Sequence, residues 1–170
     1  MLKPDSLRAA LTEVFPDFAT DPDRLRIFID KGRIVSRLTT ARGFEYRYRL
    51  NLILLDFTHH PDALFLTVCD WLRIHQPDLV LNQDQDDTRL VFEAELLDTR
   101  AHDISIELQL REAVRLVPRP GGGHDLVHLP EPPIDEMLGG VTPDIRLRQI
   151  WRDGERLLPD PIDALPAGDG

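Results

Sequence analysis

The run from Phe44 to Phe57, "FEYRYRLNLILLDF", constrains this chain more than any other segment. Side chains alternate across a strand with a period of two. Tyr46, Tyr48, Leu50, Leu52 and Leu54 therefore share one face, and Arg47, Arg49 and Asn51 share the other. From Ile53 to Leu55 both faces are apolar. Such a strand belongs in the middle of a sheet, buried on both sides at one end.

The neighbouring segments supply the rest of that sheet. "DRLRIFIDKGRIVS" alternates Leu25, Ile27 and Ile29 with Arg24, Arg26 and Asp30, and predicts a strand. Lys31-Gly32 then makes either a two-residue hairpin turn or a bulge within one longer strand. Two more strands are predicted at Arg89 to Leu97 and Asp103 to Val117, joined by the polar turn "DTRAHD". In the second, Ile104, Ile106, Leu108 and Leu110 alternate with Ser105, Glu107, Gln109 and Arg111, leaving one solvated face.

Two helices accompany these strands. "KPDSLRAALTEVFPDF" places Leu7, Leu11 and Val14 at helical spacing, with Asp5 or Ser6 as the cap and Pro16 as the stop. After the central strand, Thr58 or His60 caps a helix with Pro61 in its first turn and Leu64, Phe65, Val68, Cys69 and Leu72 as its buried stripe, ended by Gln76-Pro77. The fold class is α+β: a mixed or antiparallel sheet of four to six strands with two flanking helices. It occupies residues 1 to 117. Residues 118 to 144 are a Pro/Gly-rich connection, Asp153-Gly154 turns a C-terminal hairpin at 145 to 158, and 159 to 170 form a disordered tail. There is no internal repeat.

Charge and cysteine content narrow the function. The net charge of −10 is unevenly spread, with residues 1 to 57 at +2 and both later stretches acidic. A phosphate backbone is bound by several Lys or Arg that displace counterions, which argues against sequence-specific nucleic acid binding. No apolar run approaches the roughly 20 residues of a membrane span. A lone cysteine and no secretion-signal pattern point to a reducing cytoplasm.

No chemistry converges. His59, His60, Asp62 and His75 cannot share a metal, because adjacent histidines diverge and His75 lies about 20 Å along the helix. His59 and His60 read as two solvent-facing imidazoles at a helix N-terminus, and Asp56 as a neighbour of the helix cap. Cys69 sits within a helix rather than at its start, and reads as a structural thiol. "GGGH" at 121 to 124 lacks the Lys-Ser/Thr of a phosphate loop. Glu93 and Glu95 lie on the wet face of a strand, and the acids at 84 to 87 and His102-Asp103 match no catalytic motif. No catalytic residue, metal ligand or cofactor is assigned. The row Arg24, Arg26, Arg47 and Arg49 reads as a subunit contact with acidic surface on a neighbour, in preference to a phosphate contact.

Several segments in order resemble the tail completion protein R (GpR) family of contractile-tailed phages: "MLKPDSLRAALTE", "LRIFIDKGRI", "FEYRYRLNLILLDF", "WLRIHQPDL" and "HDISIELQLRE", with "IWRDGERLL" near the end. The resemblance implies a non-enzymatic protein that finishes a phage or prophage tail and enables head-tail joining during virion assembly. It implies a homo-oligomeric ring resembling tail terminators, with tail-tube and head-connector proteins as partners, in the host cytoplasm and then in the virion. Trp151 would anchor the C-terminal hairpin on a neighbour or on the tube, the alternative being that the hairpin adds to the edge of its own sheet. The alternative from another class is a small cytoplasmic adaptor unrelated to phage assembly.

Overall fold

The computed structural model describes residues 1–36, 42–81, 89–96, 101–131, 151–153 and 155–156. Its centre is β2 (Gly43–Phe57), with β1 (Leu25–Val35) antiparallel on one side and β4 (His102–Pro118) antiparallel on the other. Beyond β4 lies β3 (Leu90–Leu96), giving the order β1-β2-β4-β3. Every pairing is antiparallel, which resolves the choice between a mixed and an antiparallel sheet.

A fifth strand, β5 (His124–His128), folds back on the far end of β4, from Val114 to Pro118. It lies within the stretch that composition marks as a connection. Its sequence "HDLVH" is too short to show a period, and the glycines before it supply the turn: Gly121, Gly122 and Gly123 all have positive φ. Because β3 and β5 share one edge of β4, residues 109 to 113 have no strand neighbour on that edge among the described residues.

Lys31-Gly32 does not turn the chain. β1 runs through it, and the register shifts by one between Ile29 and Lys31, so Asp30 is a bulge. One consequence is that Lys31 and Arg33 face the same way as Arg49 and Arg47, their partners across the ladder.

The helices α1 (Lys3–Val14) and α3 (Pro61–His75) close one face of the sheet. Leu7 and Leu11 from the first, Leu64, Val68 and Leu72 from the second, Leu50, Leu52 and Leu54 from β2, and Ile104, Ile106 and Leu108 from β4 are all buried. Each such side chain contributes about 1.5–3 kcal/mol on leaving water. The buried face of α3 is turned by one residue from the expected stripe: Trp71 and Thr67 are inside, whereas Phe65 and Cys69 are half-exposed. α1 begins at Lys3 with no side-chain cap, so neither Asp5 nor Ser6 caps it. Ser6 is taken up elsewhere: Trp71 Nε1 donates to its Oγ at 3.1 Å, and its hydroxyl lies 3.2 Å from His75 Nε2. At the start of α3, His60 is the cap and accepts from the Asp62 N–H at 3.1 Å.

Three short elements complete the described chain: α2 (Asp17–Thr20), a 3-10 turn (Pro22–Arg24) and α4 (Pro77–Leu81). Near the C-terminus, β6 (Trp151–Arg152) pairs with β7 (Glu155–Arg156) across Asp153, whose φ is 50°. The backbone pairing follows the Asp-Gly signal; residues 145–150, 154 and 157–170 lie outside those described.

Candidate interaction surface

Among the described residues no helix packs on the second face of the sheet, and its charge is ordered in rows across the strands. Arg33, Arg47 and Arg111 form one row, and Lys31, Arg49 and Gln109 the next. Arg89 adds to them around a shallow depression of about 460 Å³ that also reaches Tyr48 and Gln76. Acids at the margin hold these cations in place. Arg47 Nε donates to Glu45 Oε1 at 2.7 Å, Arg49 lies 3.3 Å from Glu107, and Arg89 and Arg111 each lie 3.4 Å from Asp78. The hydrogen bond and charge of Glu45 hold the Arg47 guanidinium above its usual pKa. At the other end of the same face stand Glu93, opposite Ser105, and Glu95, opposite Asp103. The open face is thus basic at one end and acidic at the other.

The break in the outer edge of β4 is filled by side chains. Gln76 is fully buried, and its Oε1 accepts from the Arg111 N–H at 3.1 Å and from Lys3 Nζ at 2.6 Å. Lys3 also donates to Glu131 at 2.8 Å, and burial lowers the lysine's pKa despite that carboxylate. The Leu129 N–H donates to the Ala113 carbonyl at 2.8 Å, so the chain after β5 closes the remainder of the gap. Beside it, Glu112 points into the core side of the sheet and accepts from Tyr48 Oη at 2.5 Å and from the Leu2 N–H at 2.7 Å. Burial opposes ionisation of Glu112, but these two donors, together with the N-terminal charge and the Lys3 N–H, outweigh it and hold the carboxyl below its ordinary range. Burial and the Glu112 partner together push the Tyr48 phenol far up. His128 Nδ1 comes within 3.2 Å of Glu112 Oε2 without the alignment of a hydrogen bond.

The structure separates the four arginines singled out by alternation. Arg47 and Arg49 lie side by side on the basic end. Arg26 is exposed on the same face but pairs with Ile53, four residues along β2 and therefore about 13 Å away. Arg24 lies in the 3-10 turn, where it donates to the carbonyls of Leu55 and Asp56. Those bonds hold the end of β2, where Asp56 has φ 49° and its N–H donates to Asp103 Oδ1 at 2.9 Å. The side chain of Trp151 lies outside the described residues. Lys31, Arg33 and Arg111 escaped the alternation reading because only the bulge and the strand register bring them beside Arg47 and Arg49.

The histidines also take defined places. His59 is not solvent-facing: it packs against Phe15 and Phe57 at ring distances of 5.3 and 5.5 Å, and its Nε2 lies 2.9 Å from Asp17 Oδ2. His75 stacks on Trp71 at 4.7 Å, and burial, aided by Lys3, lowers its pKa. Burial raises the Cys69 thiol, which disfavours its nucleophilic form. Among the described residues, no three His, Cys, Asp or Glu gather as a metal site, and no helix is long and apolar enough to cross a membrane.

These features define the class: an α+β domain built on an antiparallel sheet, closed on one face by helices and carrying on the other, among the described residues, a field of opposed charges. The family model for the P2 phage tail completion protein R (GpR) matches residues 1–132, which takes in β5 and Glu131. Tail completion protein R of Escherichia phage P2 is 40% identical over 155 residues, covering 91% of this chain and 96% of that protein. The chain belongs to the tail completion protein R (GpR) family. No solved structure matches it.

Proposed function

We propose that the protein completes the tail of a phage or prophage, finishing the tail end so that it joins stably to the head. Family membership along nearly the whole chain is the observation that supports this reading. The role is non-enzymatic and needs no cofactor. The protein works as a homo-oligomeric ring whose partners are tail-tube and head-connector proteins, assembling in the host cytoplasm and remaining in the virion tail. The open sheet face supplies the contacts: Arg47, Arg49 and their neighbours meet acidic surface on another subunit or on the tail, and Arg26 lies toward the opposite end of that face. Arg24 supports the contact by bracing the end of β2, and Trp151 anchors the C-terminal hairpin. Such charge pairing orients partners and speeds encounter more than it adds affinity.

Electron microscopy of lysates from an inducible lysogen tests the role directly. With an early stop codon in this gene, filled heads beside unattached or overlong tails are the expected result, and a plasmid copy of the gene restores whole particles. Normal infectious particles from the stop-codon lysogen would remove the tail role.

A further inference from the structure

The two outer strands of the sheet are opposite in charge and alike in their apolar exposure. β1 carries Arg26, Lys31 and Arg33 against Asp30, whereas β3 carries Glu93 and Glu95 as its only charges. Neither has a strand neighbour on its outer side among the described residues. Both expose large apolar side chains: Phe28 at 45% and Ile34 at 69% on one, Phe92 at 58% and Val91 at 36% on the other. Edges of this length and character favour pairing with another chain unless something blocks them.

We propose that the outer edge of β1 in one copy pairs antiparallel with the outer edge of β3 in the next, with Arg26 opposite Glu93, Ile27 opposite Phe92 and Phe28 opposite Val91. The proposal identifies the subunit contact of the ring read above and rests on that reading for its setting.

Register, direction and hydrogen bonding all agree with this pairing. Within one copy, Arg26 is aligned with Ile53, Ser105 and Glu93 in a single row across four strands. Phe28, Asn51, Glu107 and Val91 make the next such row. A second copy set beside the first without stagger therefore brings Arg26 to Glu93 and Phe28 to Val91 with no adjustment of register. Four strands alternating in direction leave β3 and β1 antiparallel at the boundary, so the ladder continues unbroken from copy to copy. Hydrogen-bonded and non-hydrogen-bonded pairs alternate from strand to strand along a row, and an even strand count lets that alternation repeat. Arg8 Nη1 donates to the Leu25 carbonyl at 2.9 Å, marking residue 25 as one that directs its backbone groups outward. Ile27 follows it two residues on and does the same, so Ile27 and Phe92 form a hydrogen-bonded pair.

The side chains match on both faces. On the open face, Arg26 meets Glu93, while Lys31 and Arg33 lie past Leu90, where β3 begins. On the helix side, Ile27 and Ile29 meet Phe92 and Leu90. Charge also disfavours the symmetric alternatives, because β1 against β1 would bring together two strands of net positive charge, and β3 against β3 two strands whose only charges are Glu93 and Glu95. A contact between two different edges is heterologous, and it closes into a ring when the rotation per copy permits.

The test uses the full chain in a Cys69→Ser background. Phe28→Cys and Val91→Cys chains are co-expressed, oxidised mildly and separated without reductant. Phe28 and Val91 form a non-hydrogen-bonded pair, the type whose side chains approach closest. A disulfide-linked dimer that forms only on co-expression is expected, as is a series of linked multimers from the chain carrying both cysteines. A homodimer from either single-cysteine chain alone, or no product on co-expression of folded chains, would overturn the pairing. Sedimentation gives a second measure. R26E and E93R should each lower the multimer while leaving the circular dichroism unchanged, and the two exchanges combined should restore it. Unchanged multimer in both single variants would also overturn the proposal. The stop-codon lysates test the tail role separately, so the two readings fail independently.

Discussion

Gln76 Oε1 accepts the backbone N–H of Arg111 at 3.1 Å, substituting for the strand neighbour that β4 lacks between β3 and β5. A buried amide N–H left without a partner costs about 1–3 kcal/mol, and here the same oxygen also serves Lys3. Gln76→Leu keeps the volume but removes both acceptor roles. It is expected to destabilise the fold by about 2–4 kcal/mol, read as a lower urea midpoint with an unchanged slope.

Acid should unfold the protein in two stages whose signs follow from the site. His75 has a lowered pKa in the fold, so the unfolded chain takes up its proton first, and stability falls as pH drops below the ordinary value of 6.5. Glu112 has a lowered pKa too, but as an acid: its stabilising contribution is complete above the ordinary value of 4.5 and is lost as pH falls through the folded value. Urea midpoints measured from pH 8 to pH 3 should decline gently at first and more steeply below about pH 4.5. Glu112→Gln should flatten the lower limb and leave the upper one, and His75→Gln should do the reverse.

How legible was this in the sequence? The period of β2 and β4 placed Leu50, Leu52, Leu54, Ile104, Ile106 and Leu108 in the core, because a strand with one apolar row has a single way to face a helix layer. The route past Lys31-Gly32 was open, since a bulge and a turn use the same residues and only the pairing of Lys31 with Arg49 decides between them. β5 was hidden because five residues with two histidines carry no hydrophobic period. The Gln76, Lys3, Glu112 and Glu131 cluster was invisible for a different reason: its members lie up to 128 positions apart and meet only after the sheet has formed. The basic end of the open face was half visible, through Arg47 and Arg49, and the register added the rest.

Two backbone positions on β2 should tolerate substitution very differently. A Cβ on Gly43 would collide with the Val114 carbonyl in the neighbouring strand, where backbone cannot move without breaking the ladder. Gly43→Ala is expected to cost about 1–3 kcal/mol. Asp56 is the converse case, a non-glycine residue at φ 49°. Asp56→Gly relieves that conformation and preserves the N–H bond to Asp103, so its thermal midpoint should equal or exceed that of the parent chain.

The arginines divide into braces and contacts, and substitution should separate them. Arg24 donates to the carbonyls of Leu55 and Asp56, so Arg24→Ala should lower stability by about 1–2 kcal/mol. Arg47 and Arg49 are more than one-third exposed and pair with Glu45 and Glu107 across solvent, an arrangement that adds little to folding. Reversing both to Glu should leave the thermal midpoint within a few degrees while weakening assembly, because it turns the basic end of the open face against its acidic partner. Contacts of this kind are screened over about 10 Å at 0.1 M salt. Assembly of the unaltered chain should therefore weaken as salt rises, and the double reversal should show a much shallower salt dependence. Sedimentation of both proteins across a salt series checks this, and a double reversal that assembles with the parent's salt profile would show that these arginines make no contact.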